Sequence, residues 1–254
     1  MALRSKSLIL YGFEVTANNS SIDFKAAALG PTLQGTLRLG YYSLTALMTE
    51  IVRAMSEVDP SNTYSATADR TIAGGTQNRV TIETDGAYLD LLFASGPRAA
   101  SSVRTLIGFL FQDYSGATDY TGATTAGTAL IPTFVGYNYL GPEFNHKVFG
   151  AVNVSAVGEK EAIVFNIQKF IEVEFKYEPY AYFISDWRPF LDWAIQQKLF
   201  EFTPEISSPT VFYEVTFEAT GADGKGLGYT FKEMLPQYPD LYQSGLIRMR
   251  QRAL

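Results

Sequence analysis

The sequence predicts an α+β, mainly β protein in two β-rich domains. Residues 1–128 read as a meander with one packed helix at about 43–57, and residues 129–254 as a curled sheet or sandwich with one helix at about 186–198. Three observations predict this. Apolar runs of period two, bounded by Gly, Pro, Asn and Ser, recur along the chain. Sustained apolar spacing of three and four is confined to two segments. The length of 254 residues accommodates two domains of ordinary size.

In the first half, Leu8 and Leu10, then Phe13 and Val15, alternate as in strands and reach the turn cluster 17–21. Ile22-Asp23-Phe24 and the run Thr32 to Leu39 lie on either side of the Gly30-Pro31 break. Ser43 then caps a helix whose Leu44, Leu47, Met48, Ile51, Met55 and Val58 form one apolar stripe, with Glu50, Arg53 and Glu57 on the wet side. Asp59-Pro60-Ser61-Asn62 ends it. Three strands follow, Thr63 to Ala68, Arg79 to Thr84 and Ala87 to Ala94, jointed at Gly74-Gly75 and Asp85-Gly86. Asp-Gly between β-rich runs predicts a hairpin, because both turn residues adopt positive φ at little cost. Ala99 to Ile107 predicts a short helix stopped by Gly108, and Phe109 to Phe111 a return to the sheet.

From Gln112 to Gly127 the chain carries few large aliphatic residues, which predicts a long exposed loop. A loop of that length in a compact domain points to partner contact. Tyr114 and Tyr120 in it, and Phe134, Tyr137 and Tyr139 in the extended stretch that follows, are therefore the candidate interface residues.

The second half is more clearly β. Val148, Val152 and Val154 lead to a turn at Gly158-Glu159-Lys160. Ile163, Phe165, Ile167, Ile171, Val173, Phe175 and Tyr177 then fall on odd positions, opposite Glu172, Glu174, Lys176 and Glu178. The odd row reads as core and the carboxylates as a wet face. Lys169 interrupts the odd row with Phe170 beside it, which predicts a bulge or bend there. Ser185 or Asp186 caps the second helix, with Trp187, Phe190, Leu191, Ala194 and Ile195 as its apolar side. Four strands close the chain: Phe200 to Phe202, Val211 to Phe217, Gly228 to Met234 and Leu246 to Arg250.

Composition limits the functions available. Charged residues make up 18% and hydrophobic residues 46%, against a typical charged share of ~25%. The surface is thus expected to be unusually neutral. Aromatics reach 14%, with 16 Tyr and 18 Phe, and Tyr suits contacts that are part wet and part dry. A net charge of −6 argues against a nucleic-acid partner, which needs clustered cations to displace counterions. With no cysteine there is neither a disulfide framework nor a thiolate metal site. Arg4 and Lys6 precede an apolar run, Leu8 to Leu10, shorter than that of a signal peptide, and no stretch reaches the ~20 apolar residues of a membrane helix. Synthesis in the cytoplasm is the expectation.

No constellation carries catalysis. His146, the one histidine, has only Asn145 and Lys147 beside it and no base-orienting motif. Gly221-Ala222-Asp223-Gly224-Lys225-Gly226 fails as a phosphate loop, since Ala219 replaces its first glycine and Gly226 its magnesium-binding hydroxyl; it reads as a hairpin loop. Asp113, Ser115 and Asp119 alternate like calcium ligands but lack the glycine and terminal glutamate of such loops. Glu172, Glu174 and Glu178 have the regular spacing of a strand face. The expectation is a protein without enzymatic activity, cofactor or metal.

The stretch Leu37-Arg38-Leu39-Gly40-Tyr41-Tyr42-Ser43-Leu44-Thr45-Ala46-Leu47, with Ile51, Leu106-Ile107-Gly108-Phe109 and Asp113-Tyr114-Ser115-Gly116, resembles a pattern in virion proteins of tailed bacteriophages. It covers about the first 120 residues. Trp187-Arg188-Pro189-Phe190-Leu191-Asp192-Trp193-Ala194, Phe200-Glu201-Phe202-Thr203-Pro204, Val215-Thr216-Phe217-Glu218 and Gly245-Leu246-Ile247-Arg248-Met249-Arg250 resemble distal tail and baseplate proteins. The resemblance implies a non-enzymatic subunit of the virion tail, a ring of three or six copies docked onto other tail proteins. It transfers no catalytic residue. A neck or tail-terminator position fits equally well. A carbohydrate-binding module for receptor attachment is a different reading, and a glycosidase would require facing carboxylates ~5–10 Å apart in a cleft.

Overall fold

The computed structural model describes residues 7–10, 12–70, 78–127, 133–134, 143–154, 158, 160–176, 178–205, 208, 210–218, 231–233 and 240–252. The protein is mainly β with few helices. It divides into two compact units, one of Ile9–Ile131 with Ser208–Thr210 and one of Met1–Leu8, Pro132–Ser207 and Val211–Leu254. The first strand, β1 (Ser7–Leu10), therefore pairs outside the first unit: its register runs Ser7 to Phe134 and Leu8 to Thr133. The Gly74-Gly75 joint, Tyr137, Tyr139, Tyr177, the Gly221 to Gly226 loop and the Pro236 to Pro239 joint lie outside the described residues.

The first unit contains β2 (Phe13–Val15), β3 (Ser21–Lys25), β4 (Leu33–Thr36), β5 (Gly40–Tyr42) and helix α1 (Leu44–Val58). Strands β6 (Tyr64–Ala68), β7 (Val80–Thr84), β8 (Leu89–Leu92), β9 (Asp113–Ala117) and β10 (Asp119–Thr121) complete it. Three sheets form, ordered β2-β5, β4-β3-β8-β9 and β10-β7-β6. α1 begins as its sequence dictates: the Ser43 side chain accepts from the Ala46 N–H at 3.0 Å, satisfying one orphan donor of the first turn. Leu44, Leu47, Met48, Ile51, Ala54 and Met55 are buried on one stripe, against a core that includes Ile22, Phe24, Tyr64 and Ile82. Glu50 departs from the expected wet side. It is buried and accepts from the Arg38 N–H at 2.6 Å and from Arg53 Nε at 2.9 Å, so its charge is matched by hydrogen bonds.

Asp59 closes the helix. Burial pushes its carboxyl up, but hydrogen bonds from Ser61, Tyr64 and Asn62 outweigh that and hold it at about 2. Behind it, Asp23 and Arg98 join β3 to the turn before residues 99–105. Arg98 Nε and a terminal guanidinium nitrogen donate to Asp23 Oδ1 at 2.9 and 2.8 Å, and the Arg98 N–H donates to Oδ2 at 2.7 Å.

Three expectations for this unit are corrected. Asp85-Gly86 is no hairpin, because β7 pairs with β6 and β10 whereas β8 pairs with β3 and β9. The Asp85 carboxylate accepts instead from the Thr63 N–H at 2.7 Å, making a corner between two sheets. Residues 112–127 are not one exposed loop, since β9 and β10 lie within them. Tyr114 and Tyr120 supply the buried surface that aliphatic residues would otherwise provide. Residues 99–107 make two short 3₁₀ turns, Ala99–Ser101 and Val103–Thr105, rather than an α-helix. Gly108 then turns the chain with φ +76°, where a Cβ would stand 2.0 Å from the Thr124 carbonyl oxygen.

The second unit contains β11 (Thr133–Phe134), β12 (Glu143–Val154), β13 (Lys160–Val173) and β14 (Glu178–Pro179). Helical turns Tyr180–Tyr182 (α2), a π turn Phe183–Trp187 and Arg188–Ala194 (α3) follow. The remaining strands are β15 (Phe200–Thr203), β16 (Tyr213–Phe217), β17 (Phe231–Glu233), β18 (Leu241–Ser244) and β19 (Ile247–Gln251). Six of these strands and β1 form a sheet ordered β11-β1-β15-β16-β19-β13-β12, and a second sheet runs β14-β18-β17. Ile171, Val173, Phe200, Val215, Phe217, Ile247 and Met249 are buried on the large sheet, and the Phe190 ring stands edge-on to Phe200 at 5.1 Å. The helical segment starts at Tyr180, earlier than Ser185 or Asp186 predicts, and its α-helical part ends at Ala194. Pro189 explains the widened turn before it, since it has no N–H to continue the ladder toward residue 185.

Candidate assembly surface

The two longest strands among the described residues form the β12–β13 hairpin, which is antiparallel over its whole length from Glu143 opposite Glu172 to Val154 opposite Lys160. β13 is shared with β19 only at Phe170–Val173. From Lys160 to Lys169 it has β12 on one side and no strand on the other among the described residues, and β12 is the outermost strand of the sheet. The hairpin thus extends past the sheet as a two-stranded arm with no further strand on either edge among the described residues. At 3.3–3.4 Å per residue its unshared part spans roughly 30 Å.

Register decides what that arm presents. Phe144 faces Ile171, Val148 faces Ile167, Gly150 faces Val164 and Val154 faces Lys160, so the apolar members share one face. Over the sheet this face is core, with Ile171 0% exposed. Along the arm it is open: Val148 is 57% exposed, Ile167 51%, Val164 53% and Val154 60%. The expectation that the odd row is core holds at Ile171, Val173 and Phe175 and fails at Ile167, because no second layer covers the arm there among the described residues. The bulge lies between the pairs 149–166 and 150–164, leaving Phe165 unpaired, and not at Lys169, which simply faces His146.

The opposite face at the arm's base is polar. Asn145, Lys147, Gln168, Phe170, Glu172, Glu218 and Arg248 line a cleft there. Glu172, expected on a wet face, is buried; it accepts from Asn145 Nδ2 at 2.7 Å and from the Arg248 guanidinium. Glu178 is also buried rather than wet. Burial pushes its carboxyl up to about 7, and the Trp187 indole beside it pulls it only partly back. The carboxylates therefore do not form the even row that their spacing predicts.

Of the aromatic residues singled out from the sequence, Tyr114 and Tyr120 are described with their side chains. Tyr114 stands edge-on to Phe93, Phe109 and Tyr120 at 6.1, 5.1 and 5.7 Å, and its hydroxyl accepts from the Leu110 N–H. The Tyr120 hydroxyl accepts from the Ala117 N–H at 2.8 Å and donates to the Leu89 carbonyl at 2.9 Å. Both rings are half-buried against their own unit's core. Phe134 lies in β11 of the second unit; its side chain is outside the described residues, as are Tyr137 and Tyr139. Asp113, read as a possible cation ligand, accepts from the Ala94 and Ser95 N–H groups at 2.8 and 3.0 Å and ties down that turn. Among the described residues no cluster of three or more His, Asp or Glu side chains is placed to hold a metal ion, and no helix is long and apolar enough to cross a membrane.

Sequence reasoning took Ile167, in the odd row, for core. A signal was available: Lys169 and His146 interrupt the apolar rows, and these strands of 12 and 14 residues far exceed the others. No protein-family model matches the chain, and no curated protein matches its sequence.

Proposed function

We propose that this protein is a non-enzymatic structural subunit of a bacteriophage tail, of the distal-tail or baseplate type, which joins copies of itself into a ring and docks neighbouring tail proteins. One observation carries the assembly reading: a long hairpin with no further strand on either edge of its arm among the described residues, and an apolar stripe of half-exposed side chains. Two-stranded hairpins are marginal in water on their own. Long free edges are templates for another strand, and apolar patches of a few hundred Å² mark contact sites. A second copy satisfies one edge, and a further copy the other. Its β12 meets the free edge of β13 and its own β13 meets the next copy, so head-to-tail pairing continues the antiparallel order and aligns the stripes. The tail placement rests on the sequence resemblance.

The test is the mass of the purified full chain in solution, compared with that of a Val148→Lys, Ile167→Lys double variant. A discrete multimer that the variant loses while keeping its circular dichroism supports the reading. A wild-type monomer at high micromolar concentration refutes it.

Receptor attachment through carbohydrate is favoured by a separate observation. Tyr180 and Tyr182 are exposed, and the Tyr242 ring lies against Phe183 and Tyr180 at 5.6 and 5.3 Å, a group of aromatic faces of the kind sugars stack on. Specific binding on a glycan array that is lost in Tyr182→Ala would establish that reading instead.

A further inference from the structure

Glu178 has no role in the assembly surface and is a buried carboxyl with an unpartnered oxygen among the described residues. Its residue is 2% exposed, and its Oε1 makes no hydrogen bond among the described residues. It sits at the start of β14, paired across to Tyr242 of β18, two residues before the helical segment begins at Tyr180. Beside it is Trp187, itself fully buried and packed on Phe175 at 4.5 Å, Phe231 at 5.5 Å and Phe190 at 6.3 Å. The carboxyl is therefore lodged where the small sheet and the helical segment meet, in an aromatic cluster.

The ionisable groups on the surrounding elements, among the described residues, are Tyr242 on β18, Asp240 before it, Lys232 and Glu233 on β17, Tyr180, Tyr182, Asp186, Arg188 and Asp192 on the helical segment, and Lys176 before β14. The influences acting on Glu178 are burial first and the Trp187 indole second, with none of those charges among them. Burial disfavours the charged form of a carboxylate so placed, and no cation among the described residues offsets that.

We propose that Glu178 is a proton-operated latch: protonated, it lets the β14-β18-β17 sheet and the helical segment close on each other as in the structure, and ionised, it drives them to open and admit water. The device needs no ligand. It makes the packing of this layer tighter in mild acid than in mild base, independently of whether the hairpin assembles.

Amide hydrogen exchange of peptides covering residues 178–194 and 241–244, corrected for the intrinsic effect of pH, tests it on the full chain. In the wild type the opening equilibrium should rise about tenfold between pH 6 and pH 8, as follows from a carboxyl shifted from its ordinary range to about 7. In Glu178→Gln, which keeps the shape and cannot ionise, protection should be the same at both values. Corrected wild-type exchange that ignores pH, or a Gln variant that retains the rise, would overturn the latch. Should the Gln variant fail to fold, acrylamide quenching of Trp187 in a Trp193→Phe background gives a second reading. Quenching that grows through a midpoint near pH 7 supports the latch, and constant quenching overturns it.

Discussion

Replacing Arg98 with alanine removes the partner of a carboxylate that has nowhere else to turn. The Asp23 side chain is 2% exposed, and the two guanidinium bonds to its Oδ1, at 2.9 and 2.8 Å, would vanish together. Only the backbone N–H of residue 98, at 2.7 Å from Oδ2, would remain. Breaking a buried pair from one side costs about 3–5 kcal/mol, and the surviving backbone donor places Arg98→Ala near the lower end. Asp23→Ala should cost less, about 2 kcal/mol, because the stranded cation is better served. The Arg98 side chain is 27% exposed and keeps the Thr36 hydroxyl and the Gly35 carbonyl, both at 2.8 Å. The assay is hydrogen exchange at the slowest α1 amides, supported by urea unfolding at pH 7. An Arg98→Ala cost equal to or below that of Asp23→Ala would refute the reasoning, since it would mean that the carboxylate is not the desolvated partner.

Gly108→Ala should destabilise the first unit by at least ~3 kcal/mol in urea unfolding, because the new Cβ meets the Thr124 oxygen at 2.0 Å in a left-handed backbone conformation. Tyr120→Phe should cost about 1–2 kcal/mol by the same measurement and leave any multimer intact, since its hydroxyl serves Ala117 and Leu89 of its own chain. Glu178 lowers stability as pH rises. Its carboxyl binds a proton more tightly folded than unfolded, so stability is full below about pH 4.5 and falls until pH passes about 7. The loss is about 3 kcal/mol, and Glu178→Gln should abolish it, matching the wild type at pH 4.5 and exceeding it at pH 8.

What the sequence made legible follows from which interactions are local. α1 was readable to its capping serine, because the cap, the stripe and the closing Asp59 all lie within twenty residues and obey one period. The mainly β class was readable from alternation. Partner choice among strands was not: Asp85-Gly86 has the chemistry of a hairpin, but pairing with distant β3 and β9 moved β8 to another sheet. Low aliphatic content misread 113–121 as loop because half-buried tyrosines fill the space. Alternation along β13 told which side chains share a face but not whether anything covers that face. That depends on where β19 stops, so the candidate surface at Val148, Ile167 and Val164 emerged only with the sheet order. Glu178 looked like one carboxylate of a wet row, and only its neighbours in space mark it as buried.

Sedimentation velocity of the full-length chain across a hundredfold range of concentration tests adhesion through the hairpin most directly. A closed ring predicts one discrete multimer over the upper part of that range, reduced to monomer by Val148→Lys with Ile167→Lys and untouched by Tyr120→Phe. A wild-type chain that sediments as a monomer throughout, or a multimer indifferent to both lysines, would contradict it.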